Sequence, residues 1–361
     1  MKVLFQIRPG YKDGVAGDSI QMVKTMAYLR ELGVDVSVST QQNINLREFD
    51  IIHIFNCTRI PEAYGFYKNA INQKKKVVIS PIFIDMNQYY KGNNAKLAAW
   101  RAENILRREM LQGSNMLLPN SKKELEWIQN ILFVDSPSMV IYHGVDNLFS
   151  NGDPEWFYTQ YGLKDFILCV GRLSPIKNQL SLIRAVKDLS IPIVLIGPVN
   201  NKQYAIKCAE ETDCYIKYIP FLKHEELASA YKAASVHVQP SWFETVGLAS
   251  LEAAAAGTQV VITQRGAANE YFGNKVRYID PDDLDSIRQA VIAAIEDKEK
   301  NDLQQYTLAN YSWERTAQAT LEAYDKVLAD EGSHAHAHSW ANGNERVVNQ
   351  GNLYSQTYPL F

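Results

Sequence analysis

The stretch VHVQPSWFETVGLASLEAAAAGTQVVI, residues 236–262, decides the fold. It predicts an apolar strand at Val236–Val238 and a helix that opens at Thr245–Gly247 and runs through Leu248–Ala256. A second apolar strand follows at Gln259–Ile262. Continuous apolar strands joined by a helix are typical of parallel strands that are covered on both faces. The stretch therefore predicts one βαβ unit of a buried parallel sheet.

The same alternation of strands and helices runs through most of the chain and restarts once. Turn residues at Asn151–Pro154 separate the two runs, and 361 residues exceed what one hydrophobic core usually holds. The other predicted strands are Val3–Ile7, Val34–Val38, Asp50–Phe55, Lys76–Ile79, Met116–Leu118, Phe166–Val170, Ile193–Ile196 and Tyr215–Tyr218. We therefore predict an α/β fold of two Rossmann-like domains that face each other across a cleft, with ligands at the carboxyl ends of the strands.

We place the first domain at residues 1–148 and the second at residues 149–312. A further helix is predicted at residues 313–330, and residues 331–361 are interpreted as a flexible tail. Three histidines alternate with small residues in that tail, so weak metal binding is the alternative interpretation there.

Composition narrows the class of protein. With 46% apolar and 21% charged residues the chain is typical of a soluble globular protein, and its net charge of -3 gives no basic field for nucleic acid. No run of about 18 apolar residues would span a bilayer. The four cysteines form no close CxxC pair and are interpreted as reduced, buried thiols. We expect a cytoplasmic protein without a nucleic-acid partner.

Two carboxylates flank the helix start that follows Val238. Glu244 lies in the loop before the helix, and Glu252 lies about two turns further along. The free N–H groups and the positive dipole end of a helix start bind phosphate, and Gly247 would let a backbone approach closely. Glu252 would then accept hydrogen bonds from ribose hydroxyls, and Glu244 from hydroxyls of a sugar. The spacing alone is weak evidence, because two solvated helix glutamates give the same pattern.

The stretch FILCVGRLSPIKN, residues 166–178, adds two cations. Arg172 follows the end of a strand, and Lys177 lies at the start of the next helix. Arginine binds two phosphate oxygens at once, and lysine acts as a point charge. Together with helix N–H groups they would neutralise a departing diphosphate. Either cation alone is more often a solvated surface charge, but the placement of both beside the carboxylates favours a binding site.

These residues together resemble a known family. Gly171-Arg172 with Lys177-Asn178, Pro240-Ser241, Glu244 to Glu252, Ala256-Gly257 and Val260-Val261 are similar to the retaining glycosyltransferases of family 4, or group 1, which have the two-Rossmann GT-B architecture. In that family the arginine and lysine bind the donor diphosphate, the first glutamate contacts the donor sugar and the second binds the ribose. The resemblance also implies that the helix opening at Ser312-Trp313-Glu314 returns to the first domain.

The resemblance assigns roles to individual residues. The predicted catalytic residues are Arg172, Lys177 and Glu244. The predicted donor-binding residues are Gly17, Gly171, Phe221, Thr245, Val246, Gly247, Leu248 and Glu252. Gly17 lies where the family often has a glycine pair, and an ordinary loop is the alternative. Phe221 would stack on the base, or else lie in the core.

One departure from the family concerns a histidine that many members carry at the end of the strand corresponding to Val77–Ser80. Here the chain continues with Pro81–Asp85 and no histidine. Asp85 or His53 would have to fill its place, although His53 fits a core histidine better. His143 takes the position of a family asparagine and is interpreted as structural.

The resemblance implies a retaining, metal-independent hexosyltransferase. It would use a nucleotide-diphosphate sugar, with UDP-glucose or a related UDP-hexose expected and no cofactor, and a glycan or lipid-linked acceptor of envelope or extracellular polysaccharide synthesis. The basic helix with Lys96, Trp100, Arg101, Arg107 and Arg108 would contact the inner face of the plasma membrane, or is a solvated face. The alternatives are a non-catalytic nucleotide-sugar binding module, and an epimerase or hydrolase of the same fold.

Overall fold

The computed structural model describes residues 1–12, 16–211, 215–297 and 302–330. The first half contains strands β1 (Lys2–Gln6), β2 (Asp35–Ser39), β3 (Ile51–Phe55), β4 (Lys76–Ser80) and β5 (Met116–Leu117), with helices α1 (Gly17–Glu31), α2 (Ile60–Asn72), α3 (Asn94–Gln112) and α4 (Lys122–Leu132). A 3-10 helix at Asn147–Asn151 follows.

The second half repeats the alternation. Its strands are β6 (Phe166–Val170), β7 (Ile193–Ile196), β8 (Ile216–Ile219), β9 (Ala234–Gln239), β10 (Gln259–Thr263) and β11 (Arg277–Ile279). Its helices are α5 (Pro154–Tyr161), α6 (Gln179–Val186), α7 (Lys202–Ala209), α8 (His224–Ala233), α9 (Leu248–Ala256), α10 (Ala268–Phe272), α11 (Leu284–Glu296), α12 (Leu303–Asn310) and α13 (Trp313–Ala329), with a 3-10 turn at Pro175–Lys177.

Both sheets are parallel. The first has the strand order β2-β1-β3-β4-β5 and the second the order β11-β10-β9-β6-β7-β8. The central strands carry almost only buried side chains, as in Ile51–Phe55 and Ile193–Ile196. Each sheet therefore has a hydrophobic core on both faces, which confirms the predicted α/β class. Because all strands are parallel, their carboxyl ends meet at one edge of each sheet.

Helix α13 leaves the second half of the chain and packs in the core of the first. Ser312 caps its start by accepting a hydrogen bond from the Arg315 N–H. Its residues Ala317, Ala323 and Tyr324 are fully buried among side chains of β1 and β3. Within the described residues, no helix combines the length and apolar character that crossing a bilayer requires. The domain boundaries at 148 and 312 stay predictions, and the tail with its histidines lies outside the described residues.

A buried polar contact fixes α13 on the first sheet. His53 Nδ1 lies 2.6 Å from the Tyr324 hydroxyl, and His53 Nε2 lies 2.9 Å from Ser80 Oγ. Burial lowers the pKa of His53 to about 3, so the ring is neutral at physiological pH. The interpretation of His53 as a satisfied core histidine is confirmed, and His53 does not replace the missing family histidine.

Helix α1 exposes two of its apolar side chains, those of Val23 and Ala27. Its buried side carries polar residues, namely Asp18, Ser19, Gln21 and Thr25. This distribution arises because the helix faces the polar cleft as well as the sheet.

Replacing Tyr324 with phenylalanine would remove one partner of the buried His53 ring. A buried polar atom without a partner costs about 1–3 kcal/mol, so we expect the free energy of unfolding to fall by that amount. Urea denaturation would measure it. The matched control is Tyr158→Phe, because that side chain is 45% exposed, and it should change stability by less than about 0.5 kcal/mol. Equal stability of both variants would contradict this account of α13.

Candidate functional site

Glu244 lies at the carboxyl edge of the second sheet and is held by three donors. Its Oε1 accepts hydrogen bonds from Lys177 Nζ at 2.5 Å, Ser241 Oγ at 2.6 Å and Gln239 Nε2 at 3.1 Å. The residue is only 8% exposed. Among the described residues, these side-chain partners all bond to Oε1, which leaves Oε2 for a ligand. Sequence reasoning missed Gln239, whose signal was a polar residue at the end of a buried strand.

The loop that carries Lys177 is tied to the loop that carries Glu244. Asn178 has left-handed backbone (φ 59°), and its side-chain amide donates to the carbonyls of Pro240 (3.1 Å) and Pro281 (2.9 Å). The Trp242 N–H donates to the Ile176 carbonyl at 2.9 Å. Asparagine tolerates this backbone conformation better than most residues. The Lys177-Asn178 pair therefore supplies both the cation and the residue that positions it.

Arg172 follows β6 and projects into the cleft. Its guanidinium has no hydrogen-bond partner within the described ranges. Loss of hydration against the neighbouring walls lowers the pKa of Arg172, and the charge of Asp18 in the first domain opposes this shift. Arg8, Arg59 and Glu244 also act on the guanidinium electrostatically. Arg172 thus lies between the two halves and stays charged at physiological pH.

Helix α9 begins later than predicted. Gly247 is its N-cap, with left-handed backbone (φ 80°), so Thr245 and Val246 belong to the preceding loop. A Cβ at Gly247 would lie 3.0 Å from Ile262 Cδ1. No side chain caps the helix start, whose first N–H groups have no partner within the helix. Glu252 lies about one turn after this start rather than two, and the Val246 side chain is buried, leaving only its backbone for a ligand.

Glu252 lies on the cleft side of α9. It accepts a hydrogen bond from the Tyr231 hydroxyl at 2.9 Å. Burial raises the pKa of Glu252 to about 7, the Tyr231 hydrogen bond opposes the shift, and the charge of Asp146 adds to it. Asp146 itself pairs with Lys24 of α1 at 2.7 Å. A ligand that donates hydrogen bonds to this buried carboxylate would stabilise its ionised form.

A polar cluster forms the opposing wall in the first domain. Asp18 accepts from Arg8 Nε at 3.0 Å and from Asn56 Nδ2 at 3.1 Å. Burial raises the pKa of Asp18, but the Arg8 hydrogen bond and charge outweigh it, so the net shift is downward. A Cβ at Gly17 would lie 3.8 Å from Leu248 Cδ1, which places the start of α1 against the start of α9. Sequence reasoning missed Arg8, two residues after β1, and Asn56, which directly follows β3.

The remaining predicted residues are less central. Phe221 is 72% exposed, so its alternative role in the core was wrong, while base stacking stays a prediction. Gly171 has φ 151° and packs against the Lys177 side chain. Asp85 accepts hydrogen bonds from the Asn87 backbone and side chain.

The Tyr89 ring lies 5.7 Å from the Trp242 ring and 6.0 Å from the Phe243 ring. The loop after β4 therefore reaches the second domain through Tyr89 and its aromatic contacts.

The basic face of α3 and the structural role of His143 were both expected from the sequence. In α3, Trp100 and Arg107 are buried, and Arg107 donates to backbone carbonyls of Cys57, Thr58 and Trp100. The basic face predicted there is therefore smaller. His143 is buried, its backbone N–H donates to the Tyr271 hydroxyl at 3.1 Å, and burial lowers its pKa to about 3, as a structural role requires.

Residues 157–309 match the family described as glycosyl transferases group 1. Over this range the chain is similar to the group 1 glycosyl transferases. Arg172, Lys177, Glu244 and Glu252 all lie inside the matched range. Among curated relatives, the D-inositol 3-phosphate glycosyltransferase of Mycobacteroides abscessus is 26% identical over 251 residues, which cover 62% of this chain and 54% of that protein. The chain spans about half the length of the curated relatives it matches.

Solved structures confirm the predicted architecture of the glycosyltransferase fold. Sucrose-phosphate synthase from Thermosynechococcus elongatus superposes with a TM-score of 0.78 at 15% identity, covering 91% of this chain and 99% of that one. HepE from Anabaena, solved with UDP and glucose, gives a TM-score of 0.72 at 16% identity, covering 90% and 100%. At such identities the likeness concerns the fold.

Glu252→Gln would test the electrostatic account of the candidate site. A carboxyl whose pKa is raised by folding stabilises the protein at low pH, and that contribution is lost as the pH rises through the folded pKa. For Glu252 the window runs from its ordinary value of 4.5 to about 7. The side chain of the Glu252→Gln variant is neutral at every pH. Relative to this variant, the free energy of unfolding of the wild type should fall by about 1–3 kcal/mol between pH 5 and pH 9. Urea unfolding at several pH values would measure it, and a difference independent of pH would contradict it.

Proposed function

We propose that the protein is a retaining glycosyltransferase that moves a hexose from a UDP-hexose to a glycan or lipid-linked acceptor. The observation that carries this proposal is the meeting of Arg172, Lys177 and Glu244 beside the uncapped start of α9, opposite the first-domain wall. Cations, a fixed carboxylate and free N–H groups around one cleft match the needs of a nucleotide-diphosphate sugar.

The donor would lie along the second domain. Its diphosphate would bind Arg172, Lys177 and the first N–H groups of α9, while Glu252 would accept hydrogen bonds from the ribose hydroxyls. Glu244 Oε2 would accept hydrogen bonds from the hexose. UDP is our choice of nucleotide because the HepE structure carries UDP and glucose in a similar fold. The aromatic ring of Phe221 stays the predicted contact for the base.

The transfer step would exchange one bond for another on the same face of the hexose. The bond from C1 to the phosphate oxygen breaks and its electron pair leaves with UDP. An acceptor hydroxyl oxygen bonds to C1 and its proton passes to the departing phosphate. Arg172 and Lys177 would stabilise the charge that grows on the diphosphate. This route needs no strong protein base, which fits the lack of a histidine in Pro81–Asp85.

We propose that these cations take the place of a divalent metal ion. Two D-x-D spacings occur in the sequence, at Asp280–Asp282 and Asp283–Asp285. Asp280 and Asp282 pair with Arg265 at 2.6 Å and 3.1 Å, and Asp283 caps α11. Asp280, Asp282 and Asp283 therefore already have structural partners.

We propose that the acceptor is a glycan or lipid-linked sugar of envelope or extracellular polysaccharide synthesis. The M. abscessus relative is named D-inositol 3-phosphate glycosyltransferase. For contact with an anionic membrane, the exposed cations of α3 are Lys96, Arg101 and Arg108. A cytoplasmic location at the inner face of the membrane stays part of this proposal.

Removing the central ion pair should abolish transfer. Lys177→Met and Glu244→Gln are each expected to lower kcat about 10²–10³-fold, the usual effect of losing one group that stabilises developing charge. Release of UDP in the presence of candidate acceptors would measure it. Lys232→Met, on an exposed position of α8, is the matched control and should keep full activity. Full activity of the Lys177 and Glu244 variants would refute the proposed site.

Donor identity can be tested by thermal shift. A ligand that binds only the folded state stabilises it by about 2.7 kcal/mol at 100 times its dissociation constant. We expect UDP and UDP-glucose to raise the melting temperature more than GDP-mannose or ADP-glucose, with equal shifts in EDTA and in Mg²⁺. Binding without turnover would indicate the non-catalytic module. Free or epimerised sugar without acceptor would indicate the hydrolase or epimerase. The absence of any shift would refute donor binding.

A further inference from the structure

A carboxylate of the second domain caps a helix of the first. Glu270 lies in α10, and its Oε1 accepts the Lys122 N–H at 2.8 Å while its Oε2 accepts the Lys123 N–H at 3.2 Å. These are the first two N–H groups of α4, which have no partner within their own helix. The contact also places a negative charge at the positive end of the helix dipole.

The carboxylate also accepts a third hydrogen bond, from Tyr142 of the first domain. The Tyr142 hydroxyl donates to Glu270 Oε1 at 2.6 Å, and the next residue, Tyr271, donates to the Asn120 carbonyl at 2.7 Å. Asn120 directly precedes Ser121, the N-cap of α4. Three hydrogen bonds thus join Glu270 and Tyr271 to one short segment of the first domain.

The same segment of the second domain is bonded to the backbone of Glu244. The Glu244 N–H donates to the Arg265 carbonyl at 3.0 Å, and the Ala267 N–H donates to the Glu244 carbonyl at 3.0 Å. Gly266 lies between them with φ 122°, and a Cβ there would lie 1.9 Å from the Glu244 carbonyl oxygen. The backbone of Glu244 therefore cannot move without residues 265–267, which lead directly into α10.

We propose that Glu270 is a positioning residue that transmits the placement of the first domain to Glu244. Capping α4 from α10 fixes residues 265–267, and these fix the carboxylate that would contact the donor sugar. The proposal rests on the proposed function, because it assigns Glu244 to that sugar. It predicts that Glu270 affects the transfer step more than nucleotide binding, since Arg172, Lys177 and Glu252 are not bonded to it.

The test uses the full chain with Glu270→Ala, Glu270→Gln and the control Glu126→Ala. Glu126 lies on α4, is exposed and pairs with Lys123, and lines the same interdomain crevice without capping the helix. We expect UDP affinity by calorimetry to change less than about two-fold in all three variants. The kcat of transfer should fall at least about ten-fold in Glu270→Ala, because small displacements of reacting groups are costly. Glu270→Gln should recover part of it, because its amide oxygen still accepts one N–H.

Hydrogen exchange provides a readout that needs no activity. Amides of residues 240–248 should exchange faster in Glu270→Ala than in the wild type or Glu126→Ala, while the melting temperature shows that the variant is folded. Unchanged exchange together with unchanged kcat would overturn the proposal, as would a ten-fold loss of UDP affinity in Glu270→Ala. If the wild type itself transfers no sugar, the proposed function fails, and the exchange comparison still decides whether Glu270 positions Glu244.

Discussion

The ion pair between Lys177 and Glu244 joins the two loops on which the site depends. Each residue follows a strand of the parallel sheet, and parallel strands bring their carboxyl ends to one edge. At 2.5 Å, with Ser241 and Gln239 on the same carboxylate oxygen, the pair fixes one cation and one acceptor group side by side. Partial burial strengthens such a pair relative to bulk water. A diphosphate that binds Lys177 would lie beside Glu244, the carboxylate proposed to hold the sugar.

Much of the fold could be predicted from sequence, because continuous apolar strands such as Phe166–Val170 have few alternative interpretations. Glycine, cations and carboxylates at strand ends also indicated residues that the structure brings together, as it does Lys177 and Glu244. What could not be predicted depended on contacts between distant segments. Helix α1 buries Asp18 and Gln21 because its polar side faces the cleft, and apolar periodicity does not identify such residues. Arg107 shows the same limit, because a basic helix position reached buried carbonyls of the β3 exit loop.

The first domain contributes shape and charge as well as a surface opposite the proposed donor site. Arg8, Asp18 and Asn56 form a bonded cluster beside Arg172. Tyr89 reaches the aromatic residues that precede Glu244, and Glu270 fixes the segment paired with it. Helix α13 follows the second domain in sequence and packs in the core of the first domain, so it links the two domains. Together these contacts explain how a site built mainly on one sheet can respond to the position of the other domain.

The most direct test of the central claim is a crystal structure of the protein with a UDP-hexose analogue that cannot be transferred. We expect the diphosphate between Arg172, Lys177 and the N–H groups of Gly247 and Leu248, with the ribose on Glu252 and the hexose on Glu244. A nucleotide bound elsewhere, or a diphosphate out of reach of both cations, would contradict it.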